Sequence, residues 1–308
     1  MIPFDDASVR RDGQPQTVLV TGGSGFIGKH LVSYLRERGF LVRTFGRRPL
    51  GPDTEHVPGD IRDNLADAAR GCSCVVHLAG LSDASVSMRS PAEFASVNVL
   101  GTIRALEAAR EHNAAFVLAS SQRVYRPAAW RIAEDAPLGP IDPYGETKRQ
   151  AEAWTEQFAR LSDVRATILR LFSVYGPGQV PGQGSGVVAI FLHAARQGQP
   201  LRVRARQFRD FVDVRDVCRA IELAVERPAD GVRICNVGTG QATSIADLAE
   251  MVREVVGRPV PLVLDMTPGA ESYVADPRYA AAELEFESRI TLAEGLRWYA
   301  QHCDERSR

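Results

Sequence analysis

Short apolar runs rich in β-branched residues alternate, along the first 120 positions, with stretches whose apolar residues recur every three or four. The runs at 17–21 (TVLVT), 40–45 (FLVRTF), 55–60 (EHVPGD), 74–80 (CVVHLAG) and 114–121 (AAFVLASS) predict strands. Between them, FIGKHLVSYLRERG at 26–39 and a longer stretch ending near Glu111 predict helices. Strands that are apolar throughout, rather than at alternate positions, belong to a parallel sheet covered on both faces, so the rhythm reads as βαβ units of an α/β fold.

Two helix starts carry their own punctuation. Ser90, Pro91 and Glu93 have the spacing of an N-cap, a first-turn proline and a capping-box acid. Asp142-Pro143 repeats the device before YGETKRQAEAWTEQFARL, and VRATILRLFSVYG then supplies a further buried strand. From Gly176 the texture loosens into the loop GPGQVPGQGSG, followed by short strands and helices predicted at 186–197, 214–227, 244–257 and 292–302.

Composition narrows the function classes. The 308 residues carry a net charge of −1, which gives no global field to attract nucleic acid or an anionic membrane. No apolar run reaches the roughly 18 residues a membrane span needs, and residues 1–16 are too polar for a signal peptide, so they are expected to form a mobile tail. Cys72, Cys74, Cys218, Cys235 and Cys303 are odd in number and lack a CxxC pair, which fits free thiols in a reducing cytoplasm. The six histidines show no zinc-ligand spacing, so no metal is expected.

The candidate chemistry starts with TGGSGFIG, which sets Gly22, Gly25 and Gly28 between a strand and a helix. There, tight turning and close backbone approach let a helix N-terminus face a pyrophosphate. About 20 residues on, where an acid would bind the adenosine 2′-hydroxyl of NAD, Gly46 is followed by Arg47 and Arg48. Missing a carboxylate and offering planar forks of charged donors, this turn suits a 2′-phosphate and points to NADP, with NAD possible; the other reading is a solvated basic turn. Asp60 is open to two readings, an adenine contact or a helix N-cap. HLAG at 77–80 ends its strand in residues small enough to leave room for a cofactor.

Tyr144 and Lys148, four apart at a helix start, share one face of a turn. An ammonium ~4 Å away in a medium of dielectric ~20 would lower a phenol's pKa by about three units before desolvation opposes it. Ser121 ends the preceding strand, so that hydroxyl, phenol and ammonium are expected to meet at a nicotinamide, with Ser121 donating to the substrate oxygen and Tyr144 transferring the proton.

TGGSGFIG, GDIRD, HLAG, NVLGT, SSQRVY, PYGETK, LRLFSVYGPG, RDFVDVRDV and NVGTG, in that order, make the chain resemble an extended short-chain dehydrogenase/reductase of the NAD-dependent epimerase/dehydratase family. The resemblance implies a Rossmann-type doubly wound parallel sheet over 17–172 and roughly 211–236, and a smaller C-terminal α/β substrate-binding lobe over 173–210 and 237–308. It implies nucleotide-sugar substrates and a homodimer joined through the helices near 92–111 and 144–161. To the cofactor it assigns Gly22, Gly25, Phe26, Ile27, Gly28, Arg47, Arg48, Asp60, Ile61, Leu78, Ala79, Gly80, Asn98, Tyr144 and Lys148. To catalysis it assigns Ser121, Tyr144 and Lys148, and to the substrate Ser82, Gln122, Arg123, Ser173 and Arg209.

The chain departs from the family pattern at informative places. Dehydratases of this family carry an Asp-Glu pair where Gln122 and Arg123 stand, and neither replacement can shuttle protons as that pair does, which argues against dehydration. Arg209 matches an arginine that grips the nucleotide diphosphate, whereas Ser173 replaces an asparagine and TPGAES at 267–272 lacks a second arginine. Arg123 and Arg126 are open to two readings, binders of an anionic group or surface charges. The reading that follows is an NADPH-dependent ketoreductase acting on a nucleotide-linked keto-sugar. Its alternative is a 4-epimerase with tightly held dinucleotide, and a third possibility is a non-catalytic dinucleotide sensor.

Overall fold

The computed structural model describes residues 16–128, 131–182, 186–204, 207–265 and 272–302. All but the last residue of the expected tail, Cys303 and nearly all of TPGAES lie outside the described residues.

Six strands, β1 (Thr17–Thr21), β2 (Leu41–Gly46), β3 (Glu55–Pro58), β4 (Cys74–His77), β5 (Ala115–Ser121) and β6 (Ala166–Leu171), join the strand Val232–Val237 in one seven-stranded sheet. All neighbours pair in parallel, in the spatial order Val232–Val237, β6, β5, β4, β1, β2, β3. The fold is therefore a Rossmann-type α/β sheet. Val18, Leu19 and Val20 have no exposed surface, because β1 lies centrally with helices over both faces. One face packs on Leu31 and Leu35 of α1 (Phe26–Glu37) and on Val217 and Ile221 of the helix Val214–Glu226. The other packs on Ala105, Leu106 and Ala109 of the helix Gly101–Glu111.

From β1 the chain winds outward to β2 and β3, then returns to place β4 on the other side of β1. Strand order reverses there, and the reversal opens a crevice at the carboxyl ends of β1 and β4. The segments after β1, β2, β4 and β5 all emerge on this edge.

The helix predicted from Ser90 to Glu111 exists but is not uniform. Pro91–Phe94 and Gly101–Glu111 are α-helical, whereas Ala95–Leu100 takes the wider π form. Ser90 occupies the cap position without a side-chain capping bond. Asp142 does cap its helix, Pro143–Ser162, by accepting from the Gly145 amide at 2.8 Å. Beyond the sheet, Phe191, Leu192, Leu248, Val252, Leu296 and Tyr299 form a separate cluster between the C-terminal helices. No described helix is long and apolar enough to cross a membrane.

Candidate active site

The turn after β1 works because it lacks side chains. Gly22 adopts φ +72°, and a Cβ there would lie 2.8 Å from the Ala79 amide nitrogen, so the turn presses directly on the end of β4. Gly25 stands at the N-cap of α1, its amide bonded to the Gly22 carbonyl at 2.9 Å. A Cβ on Gly28 would come within 2.3 Å of that carbonyl and 2.7 Å of Gly23, so the helix can approach the turn only with glycine there. Gly28→Ala is expected to displace α1 at a cost of about 1–3 kcal/mol, as overpacking does, and to weaken dinucleotide binding. Thermal unfolding with and without added NAD checks both effects.

Gly22, Gly25, Gly46, Arg47, Arg48, Asp60, Ile61, Leu78, Ala79 and Gly80 line one cavity of about 350 Å³ at the crevice. Most of the expected cofactor residues are thus brought together, and the missing Cβ atoms give the close backbone approach a pyrophosphate requires. Arg47 and Arg48 stand exposed directly after β2. Asp60 is not a helix N-cap. Its carboxylate takes two bonds of 2.7 Å from the Arg62 guanidinium and one of 3.0 Å from the Arg62 amide. Those bonds hold its pKa down at about 2. Arg62, which no sequence signal singled out, also lines the cavity.

Asn98 is built into the scaffold of the site. With 1% exposure, it accepts from the Leu81 amide at 2.7 Å and donates to the Leu81 carbonyl and to Thr147 Oγ1, both at 3.0 Å. It fastens the segment after β4 to the helix that bears Tyr144 and Lys148. The π turn carries this residue, as π segments often do near functional sites. Ser82 is exposed, two residues beyond Gly80. Phe26 and Ile27 lie at the start of α1, packed against the core beneath the turn.

On the catalytic side, Ser121 ends β5 with its side chain close enough to the Tyr144 phenol to lower that phenol's pKa. The Tyr144 amide is held by Ser87 Oγ at 3.1 Å, and its ring meets Phe94 edge-on. Burial raises the phenol's pKa, while the Ser121 side chain and the Arg123 charge pull it down. The Lys148 ammonium donates to the Ala119 carbonyl at 2.8 Å, and burial lowers its pKa to about 8, opposed by the charge of Glu152. A Cβ on Gly80 would sit 3.7 Å from Lys148 Nζ, so the glycine cavity and the Ser121–Tyr144–Lys148 group adjoin.

The substrate-side residues also converge. Gln122 Nε2 donates to Ser173 Oγ at 3.3 Å. The Arg123 and Arg209 guanidiniums lie 5.9 and 5.2 Å from the centre of the same Tyr273 ring. Arg126 sits exposed beside Gly139.

The model of the family described as NAD dependent epimerase/dehydratase matches residues 18–238. The chain belongs to the NAD-dependent epimerase/dehydratase family. Members of this family are NAD-dependent nucleotide-sugar enzymes, which fixes the class of cofactor as NAD(P). A putative UDP-glucose 4-epimerase of Methanocaldococcus jannaschii is 32% identical over 91% of this chain and 96% of its own length. Among solved structures, MoeE5 in complex with UDP-glucuronic acid and NAD is 35% identical with TM-score 0.87, covering 94% of this chain and 99% of its own. The UDP-glucose 4-epimerase of Thermotoga maritima, solved with UDP-glucose, is 28% identical with TM-score 0.86, covering 95% and 100%.

Several residues around this family site escaped sequence reasoning. Ser87 is one, since its hydroxyl meets a helix start 57 residues away. Asp210 is another: fully buried, it accepts from the Thr239 and Gly240 amides, both at 2.8 Å, and from the Ala275 amide at 3.1 Å, tying down the NVGTG segment next to Arg209. Both motifs were visible, but nothing in their spacing paired them.

Proposed function

We propose that the chain is a nucleotide-sugar 4-epimerase working with a tightly held nicotinamide dinucleotide. The observation that carries this reading is the placing of Ser121 and Tyr144 side by side near Lys148, at the edge of the glycine-lined cavity. The relatives favour this reaction over the net ketone reduction that the arginine pair first suggested. Gln122 and Arg123, in place of the paired acids of dehydratases, argue against loss of water.

A bound dinucleotide supplies acceptance and return of a hydride. The chain's own residues handle the oxygen and its proton. Ser121 donates to the sugar oxygen at the reacting carbon, and Tyr144 takes that oxygen's proton during oxidation and gives it back on reduction. Lys148, buried beside Gly80, contributes positive charge where the ribose and phenol would lie. Arg209 would hold the diphosphate.

The test supplies UDP-glucose to enzyme loaded with dinucleotide. Inversion at the reacting carbon with no net change in reduced nicotinamide supports the epimerase. Stoichiometric oxidation of NADPH by a keto-sugar, without inversion, supports the reductase instead.

Cofactor choice follows from Arg47 and Arg48, which line the adenosine end of the cavity with Gly46 where an acid would repel a 2′-phosphate. NADP is the form we assign. Removing both arginines as Arg47→Ala with Arg48→Ala is expected to weaken NADP binding about ten- to hundredfold per arginine, with little effect on NAD. Equal losses for the two dinucleotides, read by titration, would defeat the NADP assignment, and no loss for either would leave the arginines to the solvent.

A further inference from the structure

We propose that Arg123, supported by Gln122, reads an acidic substituent next to the reacting carbon, so that the preferred substrate is a nucleotide-linked hexuronic acid. The proposal deepens the epimerase reading and rests on it.

The backbone puts Arg123 at the reacting end of the site. It belongs to the single turn Gln122–Val124 directly after β5, and its amide donates to Ser121 Oγ at 3.2 Å. Its guanidinium donates to Asp142 Oδ2 at 2.8 Å, two residues before Tyr144. The guanidinium also lies over the fully buried Tyr273 ring, whose centre is 5.2 Å from the guanidinium of Arg209. One aromatic ring thus neighbours both Arg209, the residue read as holding the diphosphate, and Arg123 at the reacting end. A hexuronic acid linked through its anomeric carbon to a diphosphate has the matching form, with an anion on either side of one sugar ring.

Charge balance at the reacting end points the same way. Asp142 answers Arg123, but it also serves the positive helix N-terminus through the Gly145 amide at 2.8 Å. Lys148 lies in the same region, and the nearby Glu152 carboxylate is bound to Arg170 at 2.8 Å. A carboxylate beside the reacting carbon would meet these cations through charge-assisted N–H···O bonds, which a neutral hydroxymethyl group cannot form.

Gln122 completes the reader. It is 7% exposed, its Nε2 bonded to Ser173 Oγ, while its Oε1 is buried without a hydrogen-bonding partner among the described residues. A half-used buried amide is costly. The Ser173 hydroxyl both donates and accepts, so it can pair with either end of the amide. Turned about its terminal bond, Gln122 offers N–H to a carboxylate alongside Arg123.

The experiment titrates the full chain, loaded with dinucleotide, with UDP, UDP-glucose and UDP-glucuronic acid by calorimetry. The acid is expected to bind about ten- to hundredfold more tightly than UDP-glucose. Arg123→Gln should erase that preference while leaving UDP affinity in place, and Arg123→Lys should keep part of it. Gln122→Leu, which spares the Asp142 contact, should weaken the acid selectively by several fold even if Arg123→Gln fails to fold. Equal affinity for the two sugars, a uniform loss for all three ligands, or no binding of either sugar beyond UDP overturns the proposal. Preference for the acid without inversion at any carbon would sink the epimerase reading and leave the reader standing. Inversion of UDP-glucose with the acid unbound would do the reverse.

Discussion

Tyr144→Phe is expected to lower turnover by about 10²–10⁴-fold while dinucleotide and nucleotide-sugar binding persist. The substitution removes one oxygen from a ring that Phe94 and the Ser87-anchored helix start already hold in position. The fold therefore loses little, since the phenol lies beside Ser121, at the end of β5. The chemistry loses the group that carries the proton on and off the sugar oxygen. The measurement is kcat beside calorimetric binding of NAD and UDP. Unchanged turnover would remove Tyr144 from the reaction and favour a binding protein that kept the fold for another purpose.

Companion substitutions separate the roles within the group. Ser121→Ala should cost less than Tyr144→Phe, because it removes a hydrogen bond to the reacting oxygen and leaves the proton carrier in place. A Lys148 variant acts by another route. Its ammonium is bonded to Ala119 and adjoins Gly80 at the edge of the dinucleotide cavity. Lys148→Met should therefore weaken dinucleotide binding as well as turnover, whereas Tyr144→Phe should spare the binding.

What the sequence disclosed here was local. The glycine turn, the Asp142 cap and the Tyr144–Lys148 spacing are encoded within a few residues, so periodicity and capping rules placed them on the correct elements. Element bounds moved by a residue or two, as in β2, which runs to Gly46 rather than Phe45. What stayed hidden depends on pairs far apart in the chain. The spacing of Tyr144 and Lys148 put both on one helix face, yet it could not say that the ammonium would turn to Ala119, 29 residues earlier. Nor could the motif NVLGT show that Asn98 clamps Leu81 to Thr147. An α turn and a π turn carry nearly the same apolar pattern, so the wider segment left no periodic trace.

The largest hidden pair predicts the second major effect. Glu152→Gln is expected to destabilise the fold by about 3–5 kcal/mol, the usual consequence of leaving one partner of a buried ion pair uncompensated. Glu152 and Arg170 have side chains only 2% and 3% exposed, and they meet at 2.8 Å between the catalytic helix and β6. Ser120, the neighbour of Ser121, donates to the same carboxylate at 2.5 Å, and Arg170 reaches on to Tyr125 Oη at 2.7 Å. Burial opposes the Arg170 charge, but the hydrogen bonds and charge of Glu152 outweigh it and raise the guanidinium's pKa. With a neutral amide in place of the carboxylate, Arg170 keeps a charge it cannot lose. Denaturant unfolding checks the size, and replacing both partners by methionine should recover much of the loss. The catalytic consequence has a definite sign. Glu152 is the group that props up the Lys148 pKa against burial, so without its charge Lys148 gives up its proton below the present value of about 8. The alkaline limb of the pH–activity profile should then move to lower pH. A variant that is destabilised but keeps its alkaline limb would separate the structural role of this ion pair from any influence on the site.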